Sequence, residues 1–185
     1  MEETATSETR PWHKHALEKG IILSGIHIIV FLLVYFFFTN KITGFSYLFF
    51  IMFFNLGYCI YQGIQWRKEK GGYIEYGDAW LHTFVVLTVN GIIGILFTII
   101  FVLIFPSFPD TMAQSQLDTS LYWAEKMNAP EEVLDKMEED FDYEQVTDGF
   151  TFTGHMIRFG IVLIFYALAA TITSFFVRKR LPEKF

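Results

Sequence analysis

The chain has 185 residues, 52% of them apolar and 18% charged, with 22 phenylalanines and a mean hydropathy of +0.35. That composition is too apolar for an ordinary soluble domain and excludes a nucleic-acid-binding domain or a large soluble catalytic domain; a single cysteine, Cys59, excludes a disulfide scaffold. The net charge of −6 conceals two opposite regions, −10 over residues 109–150 and +4 over everything else.

Residues 1–19 place Glu2, Glu3 and Glu8 before Arg10, Lys14 and Lys19, and no small-residue cleavage site follows, so the segment reads as a cytoplasmic N-terminus leading into a retained helix. The runs free of Lys, Arg, Asp and Glu are 20–40, 42–66, 79–109 and 159–177, with 21, 25, 31 and 19 residues. A helix rises about 1.5 Å per residue and needs about 20 residues to cross the hydrocarbon, so each run spans once. The runs are continuous and not alternating, which excludes a strand barrel.

Each span carries polar or small residues at helical spacing. They are Gly20, Ser24 and His27 in the first; Asn55, Cys59, Gln62 and Trp66 in the second; Thr83, Leu87, Asn90, Gly94 and Thr98 in the third; and Ala167, Ala170, Thr171 and Ser174 in the fourth. Three- and four-residue steps put each set on one face, and small or polar faces are where membrane helices meet. His27, Asn55, Gln62 and Asn90 therefore have two readings, inter-helix hydrogen bonds or a polar path through the bundle. No Asp, Glu or Lys lies mid-span, which favours packing.

Residues 67–78 between the second and third spans form a basic elbow (Arg67, Lys68, Lys70) in which Gly71 and Gly72 permit a sharp turn and Asp78 suits the first turn of the next helix. Asp78 and His82 stand four apart, and with Glu75 or the His13/His15 pair they are the candidates for a metal site; capping and interfacial anchoring is the competing reading. Trp12, Trp66 and Trp80, with Tyr73 and Tyr76, fall at the same expected water boundary, as anchors do.

Pro106 and Pro109 are expected to end the third helix. The acidic segment 109–150 is too long for a structureless loop. Met112 to Asn128 lacks a helix breaker, and Asn128 to Glu132 reads as a helix start followed by an apolar stripe of Val133, Leu134, Met137 and Phe141, so two short helices are expected. Glu138, Glu139 and Asp140 belong to an acidic run whose register fails the calcium-loop pattern. They are read as a solvated face or as a docking surface for a basic partner, and Arg158 as a residue that snorkels or pairs with the segment ending at Asp148, with His155 on the same face.

The expected architecture is an all-α membrane protein. A four-transmembrane-helix bundle spans 20–108 and 151–177, an acidic extracytoplasmic helical cap covers 109–150, and a basic cytoplasmic tail occupies 178–185. Basic residues before the first span, in the elbow and after the fourth place both termini in the cytoplasm.

The basic elbow followed by Gly72, Ile74, Tyr76, Gly77, Asp78, Ala79 and Trp80, the third span closing at Pro106, and the basic tail resemble an uncharacterised bacterial four-span family, domain of unknown function 4199. The resemblance covers nearly the whole chain and implies a multi-pass protein of the bacterial inner membrane without a known activity. It also implies an accessory role beside a polyprenol-linked glycosyltransferase.

No nucleophile–base set, phosphate loop, zinc spacing or haem motif occurs, so the chain is expected to be no enzyme and to need no cofactor or metal. Its expected partners are the lipid bilayer and a membrane protein or further copies of itself, not nucleic acid. The leading functional expectation is an accessory or subunit of a membrane or envelope complex; a small transporter or channel using the polar faces is the contrasting one.

Overall fold

Four helices set the frame: α1 (Trp12–Phe37), α2 (Phe45–Glu69), α3 (Tyr76–Ile104) and α7 (Phe152–Val177). In this computed structural model, residues 12–38 and 43–180 are described, apart from the side chain of Trp12; Arg10, Lys41 and Lys184 lie outside the described residues. All four helices are long and apolar enough to cross a membrane, and their 25 to 29 residues, at about 1.5 Å each, exceed the ~30 Å hydrocarbon layer. Helices α1 and α7 begin before the uncharged runs do. Charge marks where hydrocarbon ends, whereas Lys14, Glu18, Lys19 and Arg158 are compatible with helix and lie along it. The first turn of α7 is capped by Thr151, whose Oγ1 accepts from the Gly154 N–H at 3.1 Å.

Helix α3 is the hub, packing on α1 at one side and α7 at the other, while α2 rests on α7 and α3 and meets α1 through longer side chains, such as Tyr58, whose hydroxyl donates to the Lys19 carbonyl at 2.9 Å. Close approach is made by small residues. A Cβ on Gly20 would lie 2.9 Å from the Val86 carbonyl oxygen of α3, and one on Gly63 would meet Val177 at 2.6 Å. The small and polar stripes do face inward at Ser24, Cys59, Thr83, Asn90, Ala170 and Ser174, all buried.

At the end bearing the elbow and the C-terminal residues, Gly71 and Gly72 take φ of 85° and 90°, and their N–H groups donate to the carbonyls of Lys68 and Arg67 at 3.1 and 2.9 Å, closing α2. Ile74 then pairs antiparallel with Lys179 through two 3.0 Å backbone hydrogen bonds, and Arg67 Nη1 donates to the last helical carbonyl of α7, Val177, at 2.7 Å. The tail is thereby stitched to the elbow. Trp66 departs from the interfacial-anchor expectation. It is 1% exposed and stacked on His82 at 4.6 Å, because three helices converge there and offer its ring fuller contact than the headgroup layer does. Trp80 is half-buried and donates Nε1–H to Thr171 Oγ1 at 3.1 Å.

The opposite end is closed by three helices, not two: α4 (Phe108–Lys126), α5 (Glu131–Glu139) and α6 (Tyr143–Asp148). Periodicity cannot announce a six-residue helix. Its local signal is Asp142, whose side chain accepts from the Gln145 N–H at 2.9 Å. Helix α3 ends at Ile104, and Pro109 opens α4 instead of terminating α3, as a residue without an N–H can. Phe108, 1% exposed, enters an aromatic cluster with Phe31, Tyr35 and Phe101 at centroid distances of 5.0 to 5.7 Å, mostly edge to face. The cap is seated by that plug and by Thr43, whose Oγ1 lies 2.8 Å from both the Ser115 carbonyl and hydroxyl oxygens and 3.0 Å from Thr119 Oγ1. Val133, Met137 and Phe141 of the expected stripe line a groove against Leu117 of α4.

Candidate functional site

The polar residues of the spans separate into two groups. Near the elbow, His15 Nδ1 and His82 Nε2 are hydrogen-bonded at 2.8 Å, and His82 lies flat on Trp66, whose other contacts include the Lys70 ammonium 4.4 Å from its ring centroid. Both imidazoles are 1% exposed, so this stack ties α1, α2 and α3 together out of reach of solvent. The expected metal candidate does not assemble there. Asp78 is exposed and pairs with Lys70 at 3.6 Å, Glu75 is exposed, and His82 turns inward to His15; among the described residues no three His, Cys, Asp or Glu side chains gather.

The second group surrounds a cavity of about 340 Å³ lined by α1, α2, α3 and α7 in the half of the bundle nearer the cap and open to the outer surface beside the exposed Leu48 and Arg158. Such a volume is at the small end of ligand cavities, ~300–1,000 Å³. His27, Asn90, His155 and Arg158 line it, with Tyr166 opposite Asn90 and Ser24 at its deep end. The Asn90 amide meets both His27 and Tyr166. Nε2 of His27 and Nε2 of His155 are buried and have no protein partner. His155 is 6% exposed. A buried polar atom without a partner is costly in hydrocarbon; Asn55 Oδ1, Trp66 Nε1 and Thr88 Oγ1 are others, but they lie outside this cavity, whereas the two imidazole nitrogens line a space with room for a hydrogen-bonding guest.

Of the intrabundle positions singled out in the sequence, His27 and Asn90 meet in this cavity. Asn55 and Gln62 do not; α2 lines it instead with Tyr47, Leu48 and Ile51, one to two turns before Asn55. Arg158 sits at the cavity's cap end, its guanidinium 5.1 Å over the Phe150 ring and donating to the Val146 carbonyl at 3.3 Å. It therefore docks on the acidic segment that ends at Asp148, through a backbone carbonyl of α6 and not through a carboxylate, while Glu138, Glu139 and Asp140 are exposed. His155 and Tyr166 carry more of the site than the sequence suggested. Tyr166 is the single tyrosine of the fourth uncharged run, and that hydroxyl in an apolar helix was the available signal.

A family model described as a protein of unknown function, DUF4199, matches residues 18–179, from the first span to the residue that bridges the elbow. The chain belongs to this family. The DUF4199 match takes in all four spans, the cap and every residue of the cavity. No match is found among the curated proteins or the solved structures.

Proposed function

We propose that this DUF4199 protein is a non-catalytic accessory or subunit of a membrane complex that holds a small ligand inside its bundle, in the inner membrane with both termini cytoplasmic and the acidic cap outside. The observation that carries the ligand reading is the pair of partnerless imidazole nitrogens, His27 Nε2 and His155 Nε2, on one cavity. The cavity is blind. Beneath Ser24 and Asn90 the bundle is filled by Leu23, Cys59, Val86 and Leu87, each 0–1% exposed, which favours holding over conduction. The distribution of Lys and Arg supports the orientation.

The test is native mass spectrometry of the chain purified from its own membranes. A small molecule retained one per protein by the parent and lost on His27→Leu is the expected result; a parent with no retained mass refutes the reading. In liposomes the expected result is no ion flux, and a proton or ion flux abolished by His27→Leu would replace it with the transporter reading.

A further inference from the structure

The polar lining of the cavity is uneven in charge. It contains the hydroxyls of Ser24, Tyr47, Thr98 and Tyr166 with His27, Asn90, His155 and Arg158 but no Asp, Glu or Lys, and no carboxylate of the described residues forms an ion pair with Arg158. An arginine at the margin of hydrocarbon is stabilised by an opposite charge, and its guanidinium binds carboxylate or phosphate through short charge-assisted hydrogen bonds. His155 stands three residues from Arg158 on α7, so both reach the cavity from one face, and its buried Nε2 is free for the same oxygen. Arg158 lies six residues into α7, about 9 Å from its start, near headgroup depth.

Apart from these side chains and the glycines of α3 the walls are apolar, including Phe31, Phe97, Ile51 and Phe159. On the side where α1 and α2 line it, the cavity extends to Leu48, 56% exposed on the lipid-facing surface. About 340 Å³ equals the share of roughly eleven waters, room for a head group and a short stretch of chain but not for a two-chain phospholipid.

We propose that the ligand is a single-chain amphiphile with an anionic head, a carboxylate or phosphate, held by Arg158 and His155, with its alkyl chain leaving between α1 and α2. This rests on the ligand-holding reading above and names its substrate class. The uncharged depth of the cavity, His27, Asn90 and Tyr166, then supplies hydrogen bonds to the remaining oxygens of the head.

The full chain in phosphatidylcholine nanodiscs is titrated with radiolabelled palmitate and challenged with hexadecyl phosphate, hexadecanol, acetate and inorganic phosphate. Saturable palmitate binding is expected, displaced by hexadecyl phosphate and about tenfold or more less effectively by hexadecanol. Whichever anionic head competes harder identifies the source, and either preference supports the proposal. Arg158→Gln should abolish the discrimination against hexadecanol, Arg158→Lys should retain most of it, and Gln62→Leu, outside the cavity, should bind like the parent. His155→Gln, expected to weaken palmitate binding, serves if Arg158→Gln does not elute as a folded species. Hexadecanol binding as tightly as palmitate, or Arg158→Gln and His155→Gln leaving the discrimination intact, overturns the anionic head while the cavity reading stands. Acetate or inorganic phosphate competing as well as the long chains overturns the amphiphile in favour of a simple anion site. Saturable binding of none of them overturns both this inference and the reading beneath it.

Discussion

Gly20 and Gly25 lie on the same helix but meet opposite surroundings. A Cβ at Gly20 runs into the Val86 backbone and the Val89 side chain, whereas one at Gly25 meets nothing within 4 Å. Backbone cannot give way as a side-chain tip can, so Gly20→Ala should cost about 1–3 kcal/mol through overpacking. Gly25→Ala should be neutral or gain up to ~1 kcal/mol from helix propensity. Reversible unfolding in mixed micelles with denaturing detergent measures both, and equal effects would contradict the α1–α3 contact. The His15–His82 pair gives a second residue-level prediction. Removing one partner leaves a buried nitrogen unsatisfied and should cost about 1–3 kcal/mol, while His15→Leu combined with His82→Leu should cost clearly less than the two single changes added together. A double-mutant cycle by the same unfolding assay checks this. Both residues were visible in the sequence, but as an uncertain metal set with Asp78. Spacing placed Asp78 and His82 on one helix, and only the fold shows that one turns to Lys70 and the other to α1.

Elements owe their joints to a few backbone positions. The elbow turns through two successive left-handed glycines, and the chain beyond them is what pairs Ile74 with Lys179. Ala at φ near +85° is strained by about 1–2 kcal/mol per residue, so Gly72→Ala should lower stability by that amount, loosen the C-terminal residues and speed amide exchange at Ile74 and Lys179. Gly77→Ala, in the first turn of α3 with open space around it, should change neither. Hydrogen exchange followed by mass spectrometry reads the difference. The glycine turn was legible because Gly-Gly in a charged loop has few other uses. Helix α6 was not, because a six-residue helix depends on one cap and on Tyr143, whose hydroxyl donates to Gln114 Oε1 of α4 at 3.0 Å. Nor was the seating of Phe108. Phenylalanine is common throughout the spans, and composition does not distinguish a lipid-facing ring such as Phe53, 63% exposed, from one that plugs a cluster.

At the scale of the whole molecule, the orientation proposal makes a direct prediction. The native Cys59 is 1% exposed, so the parent protein should be silent to a membrane-impermeant maleimide. In intact cells or right-side-out vesicles Glu138→Cys should label at once, and Lys68→Cys only after the membrane is permeabilised; the reverse order would invert the topology. The number of crossings, their approximate limits and the segregation of negative charge into one hairpin were determined by the sequence alone. A bilayer reads length, hydropathy and charge along the chain, and those properties are local. Which polar residues share a cavity was decided only by the tertiary structure. His27, Asn90, His155 and Arg158 come from three helices, and whether they meet depends on how each helix is rotated about its axis and which neighbour it approaches. In lipid that rotation is chosen by small-residue contacts such as Gly20 on Val86 and Gly63 on Val177, whose partners lie more than sixty residues away in the chain.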